Sequence, residues 1–178
     1  MTTPRSARTL TRYNAWANEM IFAAVAKLPP GAAEKPRPGL FKNMQHMLNH
    51  NYVIDDIFKH HLEGHAHPYT ARNTVDYPPL DDLWRMQRAI DAWYITWSDC
   101  ITPAQLEEVV QFTFVGGGDG ALSRGDILLH IVNHTSYHRG FVAEMMYAVP
   151  GSDKPPTTDL PVYLRDAPPT LDQPEHTP

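Results

Sequence analysis

Histidine carries most of the chemistry available to this 178-residue chain, which holds ten of them. His134 and His138 stand four apart in Leu129-His130-Ile131-Val132-Asn133-His134-Thr135-Ser136-Tyr137-His138-Arg139-Gly140. At 3.6 residues per turn they lie one turn apart on a helix, separated by about 40° around its axis. Ile127, Ile131, Val142, Met145 and Val149 form an apolar stripe on the same wheel. Both imidazoles fall inside that stripe, with His130 at its edge. Two neighbouring imidazoles in a helical core are costly unless their ring nitrogens find partners, and helical carbonyls are already engaged. A divalent cation removes the cost, because two His at i and i+4 can aim both lone pairs at one point about 2 Å from each nitrogen.

A second pair, His46 and His50, lies in Gln45-His46-Met47-Leu48-Asn49-His50. His50 is on the flank of its apolar stripe, close enough to turn towards a neighbouring helix, whereas His46 is further round towards solvent. His46 and His130 therefore read as surface residues or supports of a site rather than ligands. His60, His61, His65 and His67 form a dense cluster that reads as solvated surface with incidental affinity for metal, and His176 carries no weight. Cys100 is the single cysteine, which excludes an internal disulfide or a CxxC metal site and fits a reducing cytoplasm. No cationic neighbour in sequence marks its thiol as activated. Gly116-Gly117-Gly118 lacks the Lys and Ser/Thr of a phosphate loop.

Charge and hydropathy remove other classes. Fifteen Lys+Arg against twenty Asp+Glu give a formal charge of −5, so a polyanion such as DNA is repelled on average, and no basic patch offsets this. The longest apolar run, Met20 to Ala26, is seven residues, where a membrane span needs about twenty. The start lacks the apolar segment of a secretory leader.

The elements that must position the histidines follow from periodicity and breakers. Apolar residues at 3–4 spacing predict helices over Ser6–Leu28, Leu40–Leu62, Leu80–Ile101 and Arg124–Ala148, stopped at Pro29-Pro30-Gly31, Gly64 and Pro150-Gly151. The tryptophans and methionines at helical spacing read as core. Thr102-Pro103-Ala104-Gln105 has the form of a capping box opening one short turn. Val109 to Val115 is β-branched and aromatic and runs into the glycines, which predicts a hairpin or short β excursion near 109–118. Four amphipathic helices pack most simply as a four-helix bundle, an all-α fold. The linkers after the second and third helices are long enough for crossover connections. Eight of seventeen prolines fall in the last 29 residues, which predicts a segment without helix, pinned in part by Leu160, Val162, Tyr163 and Leu164. One domain over residues 1–165 and a mobile tail over 166–178 complete the expectation.

On these residues the chain resembles the DinB-like superfamily, the damage-inducible family of bacterial four-helix metal-binding proteins, which is distinct from the DNA polymerase of that name. The resemblance rests on Tyr13-Asn14-Ala15-Trp16-Ala17-Asn18, on Leu48-Asn49-His50, and above all on Asn133-His134 with Tyr137-His138-Arg139-Gly140. The closing segment Pro155-Pro156-Thr157-Thr158-Asp159-Leu160 with Tyr163-Leu164 also fits. Phe41-Lys42-Asn43-Met44-Gln45 departs from the Gly-Ser-Ile-His form common before the second-helix histidine.

The resemblance implies one divalent transition metal per chain, zinc or nickel, held by His50, His134 and His138, and a homodimer. Three neutral imidazoles leave a position open to water or substrate. Characterised relatives include transferases and isomerases that depend on low-molecular-weight thiols, so the function expected is a metal-dependent enzyme activating a small thiol for S-transfer or isomerisation. A non-catalytic metal-binding stress-response protein and a metal-dependent hydrolase are the alternatives.

Overall fold

The computed structural model describes residues 2–38 and 41–167. The four periodic segments form α1 (Pro4–Ala26), α2 (Met44–Glu63), α3 (Leu80–Cys100) and α5 (Arg124–Tyr147). A single turn, α4 (Pro103–Leu106), and an antiparallel hairpin, β1 (Val109–Thr113) with β2 (Asp119–Ser123), lie between α3 and α5, and a short α6 (Leu160–Asp166) follows. The expected all-α bundle with a short β excursion is what forms.

Local chemistry sets the ends. Asn43 caps α2, its Oδ1 accepting from the His46 N–H at 2.7 Å, so that helix starts at Met44 rather than near residue 40. Leu40 itself lies outside the described residues. Thr102 and Gln105 close the anticipated capping box, and Ser123 Oγ accepts from the Asp126 N–H at the start of α5. Gly116, Gly117 and Gly118 all take positive φ in the hairpin loop, where a side chain would be strained.

The Pro-rich end departs from expectation, since α6 forms there. Pro161 sits in its first turn, where a helix needs no N–H from it. Tyr163 is buried against Tyr13 and Trp16, and Tyr13 donates from its hydroxyl to the Thr158 carbonyl at 2.9 Å. Beyond Ala167, the expected mobile tail lies outside the described residues.

Packing fixes the order of helices around the bundle. α1 packs on α3 and α5, and α2 packs on the same two, so α1 and α2 are diagonal partners, as are α3 and α5. The crossing connections are therefore the linker after α1 and the α4–hairpin segment after α3. The loop over 64–79, expected as a possible crossover, joins neighbours instead and serves the histidines.

Apolar clusters fill both halves of the bundle. One gathers Phe22, Met47, Leu83 and Val142; another gathers Val53, Ile57, Ile90 and Ile131. At the levels between them, all four long helices contribute buried polar residues. Arg139 Nη1 donates to Asn14 Oδ1 at 2.7 Å and Asn18 Oδ1 at 2.9 Å. Asn18 Nδ2 donates to Asp91 Oδ1 at 3.0 Å. Gln87 Nε2 donates to Asp91 Oδ1 at 3.1 Å and Asp55 Oδ2 at 3.0 Å, and Thr135 Oγ1 stands 3.4 Å from Asp55 Oδ1. This chain of bonds gives the Asn14 and Asn18 pair of the opening motif a physical task, which is to hold the guanidinium next to His138 in sequence.

Candidate metal centre

His50 on α2 and His134 and His138 on α5 turn towards one point between their helices. One ring nitrogen from each lies within 4.8 Å of the others, and this is the only such group of three or more potential ligands among the described residues. His50 Nε2 and His134 Nε2 are 3.2 Å apart. Two nitrogens bound to one tetrahedral ion at 2.0–2.1 Å stand about 3.3–3.4 Å apart, so this pair already has the spacing of shared ligation. The ring centroids of His134 and His138 are 4.4 Å apart, and those of His50 and His138 are 4.9 Å apart. His50 and His138 are buried and His134 is half-buried.

A backbone atom orients His50 on α2. His50 Nδ1 lies 2.8 Å from the Arg72 carbonyl, which can only accept, so Nδ1 carries the proton and Nε2 presents its lone pair. Support of this kind from outside a ligand shell fixes the tautomer of metal-binding histidines. The loop is held in place by Asn49, whose Oδ1 accepts from the Thr74 N–H at 3.0 Å and its hydroxyl at 3.1 Å. Phe41 packs against the His50 and His138 rings at centroid distances of 5.1 and 5.0 Å. The segment that departs from the family form thus supplies a wall of the site.

Burial keeps all three imidazoles neutral. It pushes His134 down to about 3, with His138 and His50 adding to the effect, and His138 down to about 4, with His50 adding. His50 is also lowered by burial, against the pull of the Arg72 carbonyl. The Nδ1 atoms of His134 and His138 are buried without a hydrogen-bond partner. Three neutral imidazoles that bring one ring nitrogen each to a common point fit a borderline-soft divalent ion, and the group could hold one. Since protons compete for these nitrogens only in acid, metal affinity is expected to stay level through the ordinary imidazole range of about 6.5 and to fall only in stronger acid. Competitive chelation measures it, and a decline centred near the ordinary imidazole value of about 6.5 would contradict the low values.

The remaining histidines separate clearly. His46 and His130 line the cavity above the group but give it no donor. His46 stacks on Tyr77 and its Nδ1 accepts from the Lys42 N–H at 3.2 Å, so only one member of the α2 pair joins the cluster. His130 is exposed and packs on Phe58. His60 Nδ1 bonds to the Asp56 carbonyl, His61 stacks on Phe112 with the His67 ring 5.3 Å away, and His67 Nδ1 accepts from the Tyr69 N–H, so no three of the histidines over 60–67 bring donors together among the described residues. The Arg72 carbonyl has no signal in sequence, because it is a main-chain atom of an irregular loop.

Above the histidines opens a cavity of about 730 Å³, walled by rings such as Phe41, Phe58, Phe114 and Phe141. No helix among the described residues is long and apolar enough to cross a membrane. The chain is similar to "Protein DinB" of Bacillus subtilis (strain 168), with 25% identity over 161 residues, covering 87% of this chain and 91% of that protein. No solved structure matches it significantly. The model of the DinB family matches residues 1–175, nearly the whole chain, and so spans the opening asparagines, the three converging histidines and Arg139 alike; the chain belongs to the DinB family.

Proposed function

We propose that the protein is a metal-dependent enzyme that activates a small thiol for S-transfer or isomerisation, with one divalent ion, zinc or nickel, held by His50, His134 and His138. The observation that carries this reading is a donor set of three neutral imidazoles, joined by no fourth His, Cys or carboxylate among the described residues, at the base of a solvent-reaching cavity. A closed structural site would use four protein ligands; three leave a position for an exogenous group. A cation held by the three imidazoles would supply Lewis acidity that lowers the pKa of a thiol in that position.

The chain's own residues do the rest. The Arg72 carbonyl holds His50 in one tautomer, and the Phe41 and Phe58 rings limit water around the sulfur. In the transfer reaction, a sulfur–carbon bond forms while the leaving group departs with its electron pair.

Metal-loaded protein, a panel of low-molecular-weight thiols and an activated aryl chloride provide the test, followed by absorbance of the thioether. The expected result is acceleration over the uncatalysed reaction that disappears on chelation. No acceleration with any thiol, alongside a large drop in melting temperature on chelation, would overturn the enzyme reading in favour of a metal-stabilised, non-catalytic protein. The proposal includes the homodimer, a species of about twice 20.1 kDa in sedimentation equilibrium, and a monomer at working concentration would remove it.

A further inference from the structure

The cavity over the histidines differs in charge from the molecule around it. The chain carries twenty Asp+Glu, yet no carboxylate lines this cavity, and the charged side chain in its wall is Arg72. Arg72 is exposed, and its guanidinium forms no ion pair and no side-chain hydrogen bond among the described residues, whereas Arg12, Arg85, Arg124 and Arg165 each form an ion pair. An unpaired guanidinium beside apolar walls is a recognition element for carboxylate, sulfonate or phosphate groups.

The rim has the opposite character. Phe114, Tyr137 and Phe141 are 48%, 64% and 40% exposed, and all three line the cavity. Tyr137 and Phe141 stand one turn apart on α5 with ring centroids 5.0 Å apart, while Phe114 is delivered by the hairpin. Soluble proteins rarely cluster exposed rings without a use, and about 730 Å³ suits a small organic ligand.

We propose that this cavity binds a small organic anion with a flat apolar body, the body lying against Phe114, Tyr137 and Phe141 and the anionic group pairing with the Arg72 guanidinium. The inference deepens the functional reading and rests on it only in making this ligand the partner substrate of the thiol. Recognition itself uses side chains and needs no cation.

The probes are 1-anilinonaphthalene-8-sulfonate and the uncharged N-phenyl-1-naphthylamine, titrated by fluorescence into chelated full-length protein, with melting curves confirming that each variant stays folded. Arg72→Ala keeps the main-chain carbonyl that orients His50. It is expected to raise the Kd of the sulfonate about tenfold and to leave the neutral dye within twofold, with Arg72→Lys in between. Tyr137→Ala combined with Phe141→Ala is expected to weaken both dyes.

Absence of saturable one-to-one binding, or equal response of the two dyes to Arg72→Ala, would overturn the inference. So would binding that appears only on dilution to monomer, which would assign the rim to a second copy of the chain. Because the titration follows chelation, its failure leaves the three-histidine reading intact, and a missing metal leaves the cavity reading intact.

Discussion

His134→Ala is expected to abolish the metal-dependent gain in melting temperature together with turnover. His134 closes a triangle with the other two histidines, with its Nε2 3.2 Å from His50 Nε2 and its ring centroid 4.4 Å from that of His138. Its loss leaves two donors from different helices, and affinity should drop by at least ~100-fold, beyond the 10–100-fold typical of losing a mere support. A cation at one hundred times its Kd stabilises the folded state by about 2.7 kcal/mol. For a chain of this size that is a rise of about 5–10 °C. At the same metal concentration the variant should retain under about 0.5 kcal/mol of it. The fold should survive, because the half-buried ring lies at the cavity wall and not in an apolar cluster. A variant that keeps the full metal-induced shift would remove His134 from the ligand set.

The second large effect concerns the polar layer behind the three histidines. Burial pushes Asp55 up to about 8, with the neighbouring Asp91 adding to it, and burial pushes Asp91 to about 6. Two buried carboxylates thus share the layer with one guanidinium, Arg139, which reaches Asp91 through Asn18, and burial favours a proton on Asp55. Gln87 Nε2 at 3.0 Å and Thr135 Oγ1 at 3.4 Å both donate to Asp55 and pull its pKa down, but burial outweighs them. Asp55→Ala strips the Gln87 amide of an acceptor and leaves a void, a loss of about 2–4 kcal/mol. Asp55→Asn can still accept from Gln87 and donate to Thr135, and should cost under about 1 kcal/mol.

The pH dependence follows from the same layer. An acid whose folded pKa is raised keeps its proton in the folded state after the unfolded chain has lost it. Stability from Asp55 is therefore present in acid and lost as pH rises from about 4 towards 8. The histidines act oppositely, but only below their unfolded value of about 6.5. Urea unfolding of chelated protein between pH 6.5 and 8.5 isolates Asp55: the native chain should lose stability across this range and Asp55→Asn should stay flatter. Parallel curves for the two proteins would contradict a neutral Asp55.

What could be read from sequence was what periodicity encodes. His134 and His138 were legible because two imidazoles inside an apolar stripe are a physical contradiction that a cation resolves. The capping box at Thr102 and the hairpin before α5 were legible because their signals are local. The α6 turn was not, because proline density argues against helix while a single proline in a first turn does not. The crossover after α3 was anticipated from its long linker, but the one after α1 was not and the long loop after α2 joins neighbours, because linker length says how far a chain can reach, not which neighbour its helix packs on.

The buried layer left a signal that was present in the sequence. Gln87 and Asp91 stand four apart between Leu83 and Tyr94, polar residues at core spacing on α3, just as His134 and His138 do on α5. Only the partners on other helices show that they satisfy each other rather than bind a ligand. The Arg72 carbonyl was beyond reach altogether, since its role depends on how Asn49 and Thr74 fold a loop.

The central claim is that one cation sits among imidazoles drawn from α2 and α5. Elemental analysis of untagged protein, beside untagged His50→Ala prepared identically, tests it most directly, because no engineered histidines then add to the natural ones at 60–67. The account predicts close to one equivalent of a single first-row metal in the native chain and almost none in the variant. Equal metal in both proteins would contradict it.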